Sequence, residues 1–306
     1  MINEPCQREA SVSNKESEYD EATTQLLEAL EKENSRVKNF LIKSYKGLPV
    51  SSEMNEEAYN YFLDHSVTIT AMTTNPGTSV FTEFLYNGAS KITSLSSIDR
   101  YVFQCKAGKA VKTRIIAIEK ELPKIIEEYH KNSNVLIGNL GSGPGRDVIN
   151  VFETQYRNVS DVKAICIDKD INALRRGKIM AKVRKIDHLI EFSQENFLRY
   201  NPPQKFDILL LIGVLCPLPT ETCINILKTI RSFLKKGGCL IASNATKKMG
   251  QEDPFSCFIM KWMANWQLVY KDEDELKQIY EKAGYAWKGG FRDSYGFHLM
   301  GIGTPM

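Results

Sequence analysis

Three glycines set two residues apart, Gly141, Gly143 and Gly145 in the run Asn139-Leu140-Gly141-Ser142-Gly143-Pro144-Gly145, constrain this chain more than any other feature. The apolar stretch Val135-Leu136-Ile137 leads into them and a helix-like stretch from Asp147 to Phe152 follows, so they read as strand, tight turn and helix start. Glycine is needed where the backbone takes positive φ or must lie against a ligand with no Cβ between them. Amide N–H groups at a helix start then favour anionic or polar ligand atoms. Such a turn is a nucleotide-cofactor platform and calls for an α/β sheet around it. A dinucleotide fingerprint, G-x-G-x-x-G, would put its third glycine where this chain has Arg146, so the spacing points to another cofactor.

The residues downstream continue the pattern. Val162 to Asp168 is a mostly apolar run ending in an acid about 20 residues beyond the glycines, where a carboxylate can accept both hydroxyls of a ribose. Lys169 to Leu174 leads into a helix, and Ile190 to Phe197 reads as a third strand followed by a loop. Phe206 to Gly213 is almost continuously apolar, as a central parallel strand covered on both faces must be. Cys223 to Leu234 has apolar residues at helical spacing; Lys235-Lys236-Gly237-Gly238 reads as its C-cap and Cys239 to Ser243 as a fifth strand. Gly284 to Phe291 and Phe297 to Gly303 are two strands whose link is too short for a parallel crossover, so one of them runs antiparallel.

In this order, over roughly the C-terminal half of the chain, the pieces resemble class I S-adenosylmethionine-dependent methyltransferases. The resemblance implies an α/β fold of Rossmann-like type, a seven-stranded, mostly parallel sheet with an antiparallel last strand. It implies S-adenosylmethionine as cofactor, with Asn139, Gly141, Ser142, Gly143 and Gly145 along the glycine motif and Asp168 and Lys169 at the end of the second strand. Asn196 and Phe197 would edge the adenine, and Ile212 and Gly213 would face the methyl group. Two residues depart from the family pattern: Asn139 replaces the acid usually found two residues before the first glycine, and Lys236 replaces a proline in a surface turn. The run Lys261 to Lys271 is also similar to bacterial enzymes that form 3-hydroxypalmitate methyl ester, which implies a carboxylate acceptor needing no base.

About 130 residues precede the platform, enough for a second unit or a cap. Residues 1–20 are polar and acidic and read as a mobile tail. Residues 21–131 read as a mainly helical lid over the cofactor side of the sheet, and 132–306 as the cofactor-binding domain. Leu26, Leu27, Leu30, Val37, Phe40, Leu41 and Tyr45 mark one helix face ended by Gly47-Leu48-Pro49. A second helix runs from Glu53 to His65, Ser66 to Thr74 is ambiguous, Asn75-Pro76-Gly77 ends it, and Phe81 to Gly88 holds a short helix. Val111, Ile115, Ile118, Leu122, Ile125 and Tyr129 form a helical stripe in which Pro123 either kinks the helix or begins a new one.

With 42% hydrophobic residues the chain can bury a sizeable core, and a net charge of +3 gives no push toward nucleic acid or a membrane surface. It has no apolar run of about 18 residues, and Met1-Ile2-Asn3-Glu4-Pro5 lacks the order of a signal peptide. The expectation is a cytoplasmic protein with a small-molecule partner, its oligomeric state open. The 7 cysteines are scattered without metal or disulfide spacing and read as small hydrophobes; no metal site is expected.

Methyl transfer needs alignment and a dry pocket, and a base only where the acceptor is protonated. His298 and Tyr295, where a turn meets the last strand, are the catalytic candidates, with a satisfied core histidine as the alternative reading of His298. His65, hanging from the second helix of the lid, is an alternative to His298. Arg114 either pairs with the cofactor carboxylate or lies on the surface. Asn201-Pro202-Pro203-Gln204 precedes the fourth strand and reads as a turn, although it resembles a motif of amino-group methyltransferases. Cys216 follows that strand but shows no activating neighbour. Basic residues from Lys169 to Lys185 interleave with Ala173, Leu174, Ile179, Met180 and Val183, an amphipathic helix rather than a nucleic-acid stripe. The Phe-, Met- and Trp-rich insert from Asn244 to Tyr270 builds either core or pocket wall. The expected activity is methyl transfer to a carboxylate or hydroxyl of a small molecule in an enclosed pocket. The rivals are aminocarboxypropyl transfer of the nicotianamine synthase kind, a non-catalytic cofactor-binding module and, more distantly, an NAD oxidoreductase.

Overall fold

The computed structural model describes residues 19–74, 78–88, 94–131 and 134–306. All but the last two residues of the expected tail, the Asn75-Pro76-Gly77 stop and the start of the cofactor domain at residue 132 lie outside the described residues.

The second half is one sheet built from β1 (Val135–Leu140), β2 (Val162–Asp168), β3 (Ile190–Gln194), β4 (Phe206–Leu211), β5 (Leu234–Ala245), β6 (Tyr285–Arg292) and β7 (His298–Pro305). Their order is β3-β2-β1-β4-β5-β7-β6. Strands β1 to β5 pair in parallel, and β7 runs antiparallel to both β5 and β6. This is the Rossmann-like sheet expected from the sequence. Every residue of β4 is buried, which explains its unbroken apolar run. The order reverses at β1, flanked by β2 on one side and β4 on the other; ligands of open α/β sheets bind at that crevice.

Helices α8 (Arg146–Val151) and α9 (Ile171–Val183) cover one face of the sheet; α10 (Thr220–Arg231) and α13 (Glu273–Lys282) cover the other. Ahead of β1 come α1 (Glu21–Glu33), α2 (Ser35–Tyr45), α3 (Ser52–His65), α4 (Val67–Thr74), α5 (Ser79–Asn87), α6 (Ser97–Gln104) and α7 (Lys106–His130). The insert after β5 folds into α11 (Lys247–Glu252) and α12 (Pro254–Ala264). Leu30, Phe40, Phe62 and Ile69 of the N-terminal helices share one buried cluster with Phe255, Ile259 and Met263 of α12. Burying each such side chain contributes roughly 1.5–3 kcal/mol, so the helical region and the insert form one apolar body over the sheet.

Several local expectations change. The single stripe from Leu26 to Tyr45 is two helices, because Asn34 adopts extended backbone (φ −158°) and its side chain accepts from the Val37 N–H to cap α2. The ambiguous stretch after Ser66 is helical, and α6 had no counterpart in the sequence reading. Pro123 lies inside an unbroken α7, held by buried Ile118, Leu122 and Ile126 around the missing N–H bond. Helix α10 ends at Arg231, not Leu234, and Lys235 to Gly238 do not cap it. Leu234 already pairs with Phe206, the register shifts before Cys239 meets Ile208, and Gly237 takes φ +81° in the irregularity. On α9 the buried face is Ala173, Leu174, Gly177 and Ala181; Ile179 and Val183 are exposed, because small residues are needed where Gly177 meets the Pro144 carbonyl.

Candidate active site

The turn after β1 is tied to β2 through its own amides. Gly141 and Ser142 N–H both donate to the Ile167 carbonyl, at 2.8 and 3.2 Å, Gly143 N–H donates to Asp168 Oδ2 at 2.7 Å, and Gly145 N–H donates to the Ser142 carbonyl at 2.9 Å. Pro144 has no N–H. The expectation that free turn amides would meet an anion is thus corrected: between 141 and 145 they are already engaged. A pyrophosphate needs such amides free, so the geometry argues against a dinucleotide. Asp168 Oδ1 accepts from the Asp170 N–H at 2.8 Å. Each carboxylate oxygen therefore holds one backbone bond and keeps another lone pair for a ligand hydroxyl, which fits the ribose of a nucleoside cofactor.

Asn139, expected as a neutral replacement of an acid, is buried and donates from Nδ2 to Asp147 Oδ1 at 2.8 Å. Its partner carboxylate comes from the first turn of α8, where Asp147 also accepts from the Val148 N–H. Burial raises the Asp147 pKa against these bonds and the charge of Arg114. Asp147 was not singled out from sequence; an acid in the first turn of a helix was the available signal. Across the crevice, the Gly213 N–H donates to Ser243 Oγ at 2.7 Å, fixing the end of β4.

Helix α5 covers the turn. Ser79 lies 3.0 Å from where a Cβ on Gly143 would stand, and Gly143 takes φ +55°, so glycine is required there on both counts. Glu83 forms a two-pronged ion pair with Arg146, and Arg176 donates to Ser79 Oγ at 3.1 Å. Arg146, which displaces the third glycine of a dinucleotide motif, is therefore a fastening for this helix.

Between the turn, α5, α7 and α12 lies a cavity of about 720 Å³, within the range of about 300–1,000 Å³ usual for small-molecule sites. Asn139, Gly141, Ser142, Gly143, Asp168 and Lys169 line it at one end, as do Asn196, Phe197, Ile212 and Gly213. Met72, Phe81, Ile259 and Trp266 form its apolar wall, so the insert serves as both core and pocket wall. Gly145 is not part of the lining; it takes φ +74° at the start of α8, where a Cβ would come within 2.6 Å of Cys166 Sγ.

His298 lines the cavity at the start of β7 and is 4% exposed. Its Nδ1 lies 3.3 Å from Asp293 Oδ2, and its backbone N–H donates to the same oxygen. Burial holds the imidazole below its ordinary pKa of 6.5, against the pull of Asp293. Burial would raise the Asp293 carboxyl, but the bonds it accepts from His298 and the Tyr295 N–H leave it below the usual range. The Tyr295 ring packs on Phe297 at a centroid distance of 5.9 Å and does not line the cavity. His65 is exposed and bonded to the Tyr61 carbonyl. Cys216 lines the cavity, yet burial raises its thiol pKa, so it lacks the activation a nucleophile needs. At the far end of the cavity, Tyr101 Oη and Ser256 Oγ share a buried hydrogen bond of 2.7 Å that joins α6 to α12.

A family model for a methyltransferase domain matches residues 130–284, just over half of the chain, which therefore belongs to that family. With the glycine turn and Asp168 arranged as described, the protein is a class I S-adenosylmethionine-dependent methyltransferase. In fold it is similar to a protein of Bordetella parapertussis named a possible exported protein, with a TM-score of 0.65 and 14% identity over 94% of this chain and 97% of that one. It is also similar to magnesium protoporphyrin IX methyltransferase (ChlM) from Synechocystis PCC 6803 with bound SAM, with a TM-score of 0.52 and 12% identity over 82% of this chain and 97% of that one. Mitomycin 7-O-methyltransferase MmcR shows a TM-score of 0.52 and 12% identity over 81% of this chain and 71% of that one. At these identities the likeness is one of fold. No curated protein matches the chain by sequence. Among the described residues, no helix is long and apolar enough to cross a membrane, and no group of three or more His, Cys, Asp or Glu side chains is placed to hold a metal ion.

Proposed function

We propose that the protein transfers the methyl group of S-adenosylmethionine to a hydroxyl oxygen of a small molecule with an apolar body. The observation that carries this reading is the continuity of the cavity, from the glycine turn and Asp168 past His298 to the apolar wall of α4, α5 and α12. A purely cofactor-binding module has no use for that second compartment.

When bound, the cofactor supplies a methyl carbon made electrophilic by its sulfonium. Asp168 accepts the ribose hydroxyls, and Asn196 and Phe197 edge the adenine. Ile212 and Gly213 form the wall beside the methyl group. Water displaced beneath the helical cover by the bound substrates would strengthen the polar contacts inside. Asp293 holds the His298 backbone N–H and lies 3.3 Å from Nδ1 without a hydrogen bond to it, so it would act on the ring through its charge, leaving Nε2 for the acceptor. His298 Nε2 would take the proton of the acceptor hydroxyl, and S-adenosylmethionine would supply the methyl group to that oxygen, leaving as S-adenosylhomocysteine. A neutral, buried imidazole suits this step. Tyr295 acts as a positioning residue, its N–H holding Asp293 Oδ1 at 2.8 Å.

The test is incubation with S-adenosylmethionine and a panel of phenols, aliphatic alcohols and carboxylic acids with apolar bodies, followed by mass analysis. S-adenosylhomocysteine together with a methyl ether is the expected outcome. A methyl ester instead would replace the hydroxyl acceptor by a carboxylate, and methylthioadenosine would mean aminocarboxypropyl transfer. Failure to bind either S-adenosylmethionine or S-adenosylhomocysteine would remove the reading altogether.

A further inference from the structure

Arg114, midway along α7, lines the cavity and is only 8% exposed. A guanidinium offers five N–H donors. Here Nη2 donates to Tyr86 Oη on α5 at 2.8 Å, while Nε is buried with no partner among the described residues. The carboxylate whose charge reaches it is Asp147, and that group already accepts from Asn139 and the Val148 N–H. A buried cation with an unused donor is costly in a folded protein unless a ligand supplies the missing acceptor. The expected acceptor is an anion, and a carboxylate matches the planar fork of the guanidinium best.

The position of Arg114 indicates which carboxylate. Its Nη1 lies 3.5 Å from where a Cβ on Gly213 would stand, so the guanidinium sits over the C-terminal end of β4. Asp168, at the end of β2, lies on the opposite side of β1. At a strand spacing of about 4.8 Å, the two sites are about 10 Å apart across the sheet. A ribose held at Asp168 would leave that point within reach of the cofactor's amino-acid arm.

We propose that Arg114 binds the carboxylate of the cofactor's amino-acid arm and, through Tyr86, couples it to α5. The assignment rests on S-adenosylmethionine being the cofactor. Its test compares two nucleosides by calorimetric titration: S-adenosylhomocysteine, which carries the carboxylate, and methylthioadenosine, which has the same nucleoside and thioether without it. In Arg114→Met, affinity for S-adenosylhomocysteine is expected to fall roughly 10- to 100-fold, as for loss of a charged hydrogen-bond pair, while affinity for methylthioadenosine stays near that of the wild type. Arg114→Lys is expected to recover part of the loss. Hydrogen exchange over residues 79–87 is expected to slow with S-adenosylhomocysteine in the wild type, and to change little with methylthioadenosine or in Arg114→Met.

Equal losses for both nucleosides would reduce Arg114 to a structural role and overturn the proposal. Unchanged affinity for S-adenosylhomocysteine would also overturn it, by assigning the guanidinium to an anion on the acceptor. Equal protection of α5 by both ligands would overturn the coupling. A wild-type protein that binds neither nucleoside would instead overturn the cofactor assignment beneath it.

Discussion

Asn139 and Asp147 face each other where β1 gives way to α8, the amide Nδ2 donating to the carboxylate Oδ1 at 2.8 Å. The pairing shows why an amide stands at 139: a second acid there would confront Asp147 in a buried place. In Asn139→Asp the two carboxyls would have to share one proton, since like charges this close resist joint ionisation. We expect a stability loss of roughly 1–3 kcal/mol, larger at pH 8 than at pH 5 because repulsion grows as the pair ionises. Thermal melts of both proteins at the two pH values check this, and equal losses would count against the pairing.

Asp168 serves the turn as well as the proposed ribose site. Its two oxygens accept from the Gly143 and Asp170 N–H groups at 2.7 and 2.8 Å. Asp168→Ala is therefore expected to weaken S-adenosylhomocysteine binding by about 10- to 100-fold and also to lower the melting temperature. Calorimetry that found unchanged affinity would remove the ribose role.

In the proposed reaction the pH dependence follows from His298. Burial lowers its pKa from the ordinary 6.5, so the neutral base is present at pH 7 and kcat/KM should fall only as pH drops below 6.5 toward the lower folded value. His298→Gln should remove this acid limb and reduce the rate roughly 10²- to 10⁴-fold. Asp293 pulls the His298 pKa upward, so Asp293→Asn should move the limb to lower pH. Stability has the same sign. Below pH 6.5 the unfolded chain takes up the proton more readily than the folded one, and His298 then disfavours the fold. Rate and melting profiles between pH 4.5 and pH 8, about two units below and one and a half above the ordinary value, test both statements.

Glu83 and Arg146 fasten α5 over the glycine turn with side chains only 15% and 13% exposed. Sheltered from solvent, this pair should contribute more than the usual surface value of about 0–1 kcal/mol. Glu83→Gln is expected to speed hydrogen exchange across residues 79–87 by about tenfold and to shorten the residence of S-adenosylhomocysteine, with the melting temperature of the whole protein little changed. Exchange confined to its wild-type rate would show that α5 is held by its apolar contacts alone.

The parts of this protein legible in the sequence are those whose physical cause lies within a short stretch of chain. The turn at Gly141 to Gly145 needs left-handed backbone at three nearby positions, β4 must be apolar throughout because both its faces are covered, and Asp168 ends its strand beside the glycine turn. Even the antiparallel β7 followed from the short link before it. The partners were not legible. Arg114 meets Tyr86 and the end of β4, Glu83 meets Arg146, and Tyr101 meets Ser256, pairs separated by 28, 63 and 155 residues. Periodicity reports which face of an element turns inward, but not which distant side chain it meets; packing alone decides that. The sequence by itself thus determined the cofactor platform, and the tertiary structure decided what closes over it, which acid pairs with Asn139 and where Arg114 is buried with a donor unpartnered among the described residues.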